Sequence, residues 1–399
     1  LIQNFPDEID FICNGEGELP LLNLISNNLD SSSVEGIITG DKLKTNFSQI
    51  KDISELPLPD YSDYFEHRKK FDSEITLPYE SSRGCYYKCN FCALNLQWSG
   101  YRQKKPEKVL DDINSLNSRY GVNNFFYVDN ITPTQLEKRA ELFQTNKVNY
   151  DFFYEARCTL TKTQFEFLKK MGVSKVQLGI EAFSNGILKK FNKKSTVLHN
   201  IAAIKYCAEL GIKVVGNLIT EHPDSTKNEI DETIRIIELC FGYPPVDSIS
   251  PYALEVGSPD YNKLKNQDNS FTNYRAYKRA YPLGILDNLN LPRKEVEISE
   301  DLVDEWHRVE QIVNHWQRLY LENPRTLLSY KLKDNIVTIN DFRYDEHQTY
   351  HLNKIESVLF NHIDTPKEVR NISKNVGLDY DMVASILSKF ESMNIIYTE

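Results

Sequence analysis

"EITLPYESSRGCYYKCNFC", residues 74–92, decides how this chain is read. Its first part, "EITLPYES", is apolar and β-prone. Its second part places Cys85, Cys89 and Cys92 in the spacing C-x3-C-x2-C. Three of the seven cysteines therefore fall within eight residues. Three readings are open: chance, a zinc clip, or three of the four ligands of a metal cluster. Chance is weak against such crowding. A structural zinc site wants four protein ligands. No second C-x2-C pair exists, Cys13, Cys158, Cys207 and Cys240 stand singly, and no histidine lies in the loop. Thiolates are the usual ligands of a [4Fe–4S] cube. Three of them would serve three irons and leave the fourth open, and an open metal position is where a cofactor or substrate can bind.

Downstream of the loop a rhythm follows. "PEKVLDDINSLNSRYG" has Pro106 near a helix start and Gly121 at its end, with Val109, Ile113 and Leu116 on one face. "NNFFYVDN", "YDFFYEARC", "KVQLGIEAF", "KVVGNLIT" and "DSISPYALEV" read as strands. "TPTQLEKRAELFQ", "TKTQFEFLKKMG", "SNGILKKF", "TVLHNIAAIKYCAELG" and "STKNEIDETIRIIELC" read as helices. With "EITLPYES" that makes six strands alternating with helices, the pattern of a parallel sheet with right-handed crossovers. The fold class expected is α/β, a partial (β/α)6 TIM-like barrel over residues 74–260. Polar residues stand at the C-terminal strand ends, where such barrels keep their chemistry.

"GCYYKCNFC" at the end of a first barrel strand resembles the radical S-adenosylmethionine (SAM) superfamily. The resemblance implies that Cys85, Cys89 and Cys92 hold a [4Fe–4S] cluster whose open iron takes the amino and carboxylate groups of SAM. It also implies reductive cleavage of SAM to a 5′-deoxyadenosyl radical. By the same resemblance Phe91 meets the adenine, and Asp129 in "YVDN" faces the SAM amino group. Glu155 and Arg157 in "YEAR" meet its ribose and carboxylate, and Glu181 marks the fourth-strand motif. The family's Gly-Gly-Glu is absent at Asp129, and "EHPDS" replaces its Gly-x-Pro-Gly-Glu after the fifth strand. Each of these residues also has a plain reading: Asp129 as a turn residue, Glu155 with Arg157 as an ion pair, Glu181 as a helix cap.

The flanks narrow the resemblance. "DFICNGEGELPLLNLI" with "ISELPLPDYSDYFE" resembles the junction between a B12-binding-type Rossmann domain and a radical SAM barrel. The chain opens on Leu1 with a strand, a glycine turn and a helix, which reads as the end of a domain lying mostly upstream. Residues 1–30 are read as that remnant and 31–73 as a linker, and the resemblance allows for cobalamin as a further cofactor. After residue 260 the rhythm stops. Residues 261–325 are read as a helical connector ending in "DLVDEWHRVEQIVNHWQRLYLEN". Residues 326–399 form a small winged-helix-like α+β module: a hairpin turning near Lys333, Asp334 and Asn335, two helices, and a closing strand "IIYTE". "SPDYN", "YRAYKRAYP" and "LLSYKLKDNIVTINDFR" resemble radical SAM proteins that mature ribosomally made, bacteriocin-type peptides. His307 and His315, beside Trp306 and Trp316, read as packing residues.

Composition bounds the partners. The chain has 399 residues, 40% hydrophobic, with a net charge of −10. That charge argues against a nucleic-acid footprint, and residues 331–399 hold 8 basic against 11 acidic side chains. No apolar run is long enough for a bilayer, and the cysteine pattern suits a reducing cytoplasm. The leading expectation is a radical SAM enzyme acting on a precursor peptide, with C-methylation as one outcome and a reductant such as flavodoxin or ferredoxin as partner. The alternatives are a cobalamin-linked radical SAM enzyme acting on a small metabolite, and a non-catalytic iron–sulfur or zinc protein whose winged tail binds a partner. No catalytic hydrogen donor is assigned.

Overall fold

The computed structural model describes residues 2, 7–68, 74–146, 149–265, 271–281, 286, 289–322, 327–344 and 346–399. Parts of the expectations above fall on residues 3–6, 282, 323 and 326 and lie outside the described residues. The chain forms two compact units. The first comprises residues 1–122, 128–133 and 253–296, the second residues 123–127, 134–252 and 297–399.

In the first unit, β1 (Ile12–Cys13) leads into α1 (Glu18–Ser26) and pairs antiparallel with β2 (Ile37–Ile38). The stretch read as a linker thus supplies β2, and it also supplies the short helix α2 (Ser62–His67). The strand β3 (Thr76–Tyr79) follows. Next, β4 (Ser82–Arg83) opens the cysteine loop, which contains α3 (Leu94–Gln97), and β5 (Arg102–Gln103) closes it by antiparallel pairing. Helix α4 (Pro106–Tyr120) begins on Pro106, whose missing N–H costs nothing in a first turn, and stops on Gly121 at φ 68°. Val109, Ile113 and Leu116 are fully buried on its inner face, as the spacing predicts.

The second unit carries the alternating strands and helices. In chain order these are β6 (Asn124–Tyr127), α5 (Leu136–Thr145), β7 (Asp151–Ala156), α6 (Lys162–Met171), β8 (Val173–Glu181), α7 (Asn185–Lys190), α8 (Val197–Leu210), β9 (Lys213–Thr220), α9 (Lys227–Leu239) and β10 (Ser248–Pro251). The strands are parallel in the order β10-β9-β8-β7-β6. Stacked rings cross the sheet, with Tyr127 and Tyr154 centroids 4.0 Å apart. Thr161, Thr196 and Thr226 start α6, α8 and α9 with reciprocal capping boxes, each satisfying two orphan N–H groups. The last expected strand is divided. β10 ends at Pro251, paired with Thr220, and the Tyr252 N–H makes the last bond to β9, to the Thr220 carbonyl at 2.7 Å. The residues beyond form β11 (Leu254–Glu255) in the first unit, followed by α10 (Pro259–Lys265) and β12 (Arg293–Lys294), which pairs with β11.

The remaining residues return to the second unit. The long helix α11 (Glu300–Glu322) buries Trp306 and Trp316 against it, through Trp306 Nε1 to Ser225 Oγ and Trp316 Nε1 to the Tyr243 carbonyl, both 3.0 Å. His307 and His315 are exposed. The strands β13 (Leu328–Lys333), β14 (Ile336–Asp341) and β15 (Gln348–His351) form one antiparallel sheet. The expected hairpin turns at Asp334 and Asn335, both with positive φ, as a two-residue turn matched to strand twist requires. Helices α12 (Lys354–His362), α13 (Val369–Val376) and α14 (Tyr380–Ser392) share a core with the sheet around Val337, Leu359, Val383 and Phe390. Two expectations are corrected here. "IIYTE" is not a strand; Tyr397 and Glu399 instead bond Asn185 and the Leu198 N–H. And β15 and α12 went unread, although Asn353 and Glu356 form a capping box at the start of α12.

Candidate functional site

The cysteine loop belongs to the first unit. It leaves β4 at Gly84, which has φ 84°; a Cβ there would lie 2.0 Å from the Gly100 carbonyl oxygen. Only glycine tolerates both the left-handed backbone and the contact, so the loop's two ends can meet. Cys89 is buried, while Cys85, Phe91 and Cys92 are half-buried. The Cys92 N–H donates to the Cys89 carbonyl at 3.2 Å, making a tight turn around Phe91. The Asp260 N–H donates to the Asn90 carbonyl at 3.0 Å, so the α10 segment braces the same turn.

Asp129 lies just beyond β6 and is buried. Its carboxylate accepts from the Ser81 N–H (2.7 Å), the Ser82 N–H (2.8 Å) and the Ser81 hydroxyl (2.5 Å). Neighbouring Asn130 accepts from the Gly84 N–H at 3.3 Å, and the Val128 N–H donates to the Tyr79 carbonyl at 3.0 Å. The stretch "YVDN" thus grips the backbone that leads from β3 into the cysteines. Beneath it, Asp112 receives Tyr79 Oη (2.8 Å) and Lys104 Nζ (3.0 Å). Burial opposes its ionisation, but Lys108, whose Nζ donates at 2.5 Å, together with Lys104 and Tyr79 holds its carboxyl below the usual range.

The donor set suits a cube. Among the described residues no three His, Cys, Asp or Glu side chains converge as on a single ion. Thiolates are the usual ligands of a [4Fe–4S] cube, and the loop from Gly84 to Tyr101 carries three cysteines and no His, Asp or Glu. Of the four other cysteines, Cys13 is exposed and three are of another kind: burial pushes the thiols of Cys158 and Cys240 up to about 12 and that of Cys207 higher still. Such groups stay protonated and are poor ligands.

The other sequence candidates lie in the second unit, at the C-terminal ends of β7 and β8. Glu155 is half-buried on β7, and Arg157 is buried just past its end. Arg157 Nη2 donates to the Lys193 carbonyl. Glu181, the last residue of β8, has φ 59° beside an irregularity in the ladder. The Ala182 N–H reaches back to the Ile180 carbonyl at 2.7 Å across it. A non-glycine residue in that conformation is strained and persists only where its surroundings insist. They do so here. Asn200, fully buried, donates both amide hydrogens to the flanking carbonyls of Ile180 (3.0 Å) and Ala182 (2.9 Å). Lys193 Nζ binds the Glu181 carboxylate at 2.7 Å. Gly179 leaves room for the ammonium, since a Cβ there would lie 2.8 Å from Nζ. Glu181 does not cap α7; Ser184 does. The structure therefore joins Arg157 and Glu181 through Lys193. In "EHPDS", Glu221 also has positive φ, and His222 is buried against Phe191 and Tyr252 at 5.4 and 4.9 Å.

Lys193, Asn200 and His222 escaped the sequence reading. One of two adjacent lysines in "FNKKS" and an asparagine inside a helix carry no motif. The signal available was an asparagine on the buried face of α8, a position that demands polar partners.

Residues 79–237 match the family model of the Radical SAM superfamily. This chain carries a radical SAM domain. The anaerobic magnesium-protoporphyrin IX monomethyl ester cyclase of Cereibacter sphaeroides is 27% identical over 339 residues, covering 79% of this chain and 52% of that protein. The radical SAM methyltransferase TsrM from Kitasatospora setae, solved with tryptophan substrate and a SAM analogue, superposes with a TM-score of 0.57. It is 14% identical, over 79% of this chain and 68% of that one. The cobalamin-dependent radical SAM enzyme OxsB, solved with aqua-cobalamin, gives 0.52 at 19% identity, over 98% of this chain and 56% of that one. These likenesses establish the α/β fold of the radical SAM domain. The chain spans about half the length of the curated relatives it matches. No described helix is long and apolar enough to cross a membrane.

Proposed function

We propose that this chain is the radical SAM part of a cobalamin-linked enzyme that acts on a small molecule, with methyl transfer as its reaction. The observation that carries the reading is the cysteine loop: three thiols on one glycine-closed, backbone-braced turn. Cys85, Cys89 and Cys92 would hold a [4Fe–4S] cluster, which when bound supplies the electron for cleavage of SAM. Phe91, between two of these ligands, is assigned to adenine. Arg157 is assigned to the SAM carboxylate, for which a guanidinium fork is well shaped. Glu155 and Glu181 are assigned to its hydroxyl groups, with Lys193 fixing the Glu181 carboxylate. Asp129 is assigned to the Ser81–Ser82 turn, where its acceptor oxygens are already engaged.

The substrate reading shifts from the peptide first expected. The cyclase is named for a porphyrin ester and TsrM was solved with tryptophan as substrate, and neither supports a ribosomal peptide. Cobalamin enters through the relatives' names and the "NGEGELP" junction.

Anaerobic reconstitution is expected to give about four irons per chain. With SAM and reductant, turnover by methyl transfer from SAM yields S-adenosylhomocysteine, whereas radical cleavage yields 5′-deoxyadenosine. One zinc per chain, or neither nucleoside from a fully loaded sample, would refute the reading.

A further inference from the structure

One buried charge has no part in the site so far. Glu16, in "NGEGE", is 3% exposed. Its carboxylate accepts from Arg83 Nη1 (2.8 Å), Arg102 Nη2 (2.5 Å) and the Ile50 N–H (3.0 Å). Arg83 and Arg102 are cross-strand partners in β4 and β5. They are also the residues from which the cysteine loop departs, at Gly84, and to which it returns, after Tyr101. Arg83 further binds Glu80 (Nε at 2.8 Å) and Glu18 (Nη2 at 2.5 Å), and it lies over the Trp98 ring at 5.3 Å.

Two like charges facing each other across a strand pair repel. Glu16 between them turns the repulsion into a clamp. A buried ion triad is a poor source of net stability, because desolvation offsets most of the attraction; its attested use is to fix one geometry. Here the geometry fixed is the mouth of the 84–101 loop, and with it the placement of Cys85 relative to Cys89 and Cys92.

We propose that Glu16 is a positioning residue for the iron–sulfur cluster: by locking Arg83 to Arg102 it holds the cysteine loop in its ligating form and adds a fixed negative charge beside it. The inference rests on the cluster reading of the three cysteines. Partners just outside a metal's own ligands typically contribute about 10–100-fold in metal affinity. Glu16 acts one step further out, so the low end, about 10-fold, is expected.

The test compares anaerobically reconstituted wild type, Glu16→Gln and Glu16→Asp. The measurements are iron per chain, the chelator concentration that strips half the iron, and the cluster's reduction potential. Glu16→Gln is expected to release iron at about 10-fold less chelator and to show a more positive potential, since a negative charge is gone. Glu16→Asp should recover part of both. A loop that is merely loosened would not move the potential in that direction and recover with the carboxylate. Wild-type retention and potential in Glu16→Gln would overturn the proposal while leaving the cluster reading intact. A wild type that binds no cluster would sink both. Should Glu16→Gln not fold, Arg102→Gln breaks the clamp from its other side with Arg83 still on Glu16; it should also release iron at less chelator but, having lost a positive charge, show a more negative potential, and wild-type values for both would overturn the proposal. If neither folds, Glu16 is a folding residue and the proposal is overturned.

Discussion

The cysteine loop and the end of β8 both hold candidate site side chains still, by opposite means. The loop is held from far away in sequence. Asp129 and Asn130 reach its entry from more than forty residues downstream, and the α10 segment braces it through Asp260. Glu181 is held from nearby, by Lys193 and Asn200 within the next twenty residues. The loop is unstrained apart from its glycines, whereas Glu181 sits in left-handed backbone that only its neighbours enforce. A free-standing turn must be pinned by whatever packs around it. A strand end already has a rigid sheet behind it and can store strain locally.

The largest effect expected comes from the loop's three cysteines, the proposed cluster ligands. Cys85→Ala, Cys89→Ala or Cys92→Ala should each bring 5′-deoxyadenosine formation to background; retained product from any one would remove that cysteine from the ligand set. Gly84→Ala comes next. It forces a Cβ onto the Gly100 carbonyl in a left-handed backbone and should cost about 1–3 kcal/mol in denaturant unfolding, with poor iron loading. Normal loading would show that the loop's mouth is not fixed.

At the other region, Asn200→Ala removes two hydrogen bonds from the carbonyls around Glu181. At about 0.5–1.5 kcal/mol each, it should destabilise the chain by about 1–3 kcal/mol and weaken SAM binding, measured calorimetrically, while iron content stays at the wild-type level. A loss of iron would break the separation drawn between the two regions.

The smallest effect is a pH dependence. The opposing arginines and the Ile50 N–H hold the Glu16 carboxyl below its ordinary 4.5, outweighing burial. A carboxyl depressed in the native state stabilises fully above its unfolded value and loses that contribution as pH falls through the native one. The stability gap between wild type and Glu16→Gln should therefore be widest near neutrality and close in acid below about 4.5. A gap that persists there would mean the clamp works by shape and not by charge.

Much of the fold was legible in the sequence. The 3.6-residue spacing of Val109, Ile113 and Leu116, with Pro106 at the start of their helix and Gly121 at its end, acts within a few residues, so local order reveals it. The divided last strand and the unread β15 show the limit: strand ends depend on which partner offers hydrogen bonds, and Pro251 alone does not say where pairing resumes. The thiol triplet was legible too, because residue type and spacing are covalent properties of one short segment.

What the sequence by itself determined was the α/β rhythm and the thiol triplet, for both are periodicities or spacings along one chain. Only the tertiary structure decided that Asp129 serves the Ser81–Ser82 turn, that Lys193 and Asn200 surround Glu181, and that Glu16 joins Arg83 to Arg102. Buried charges find partners by proximity in space, under the cost of leaving any of them unpaired, and no spacing in the sequence encodes that proximity.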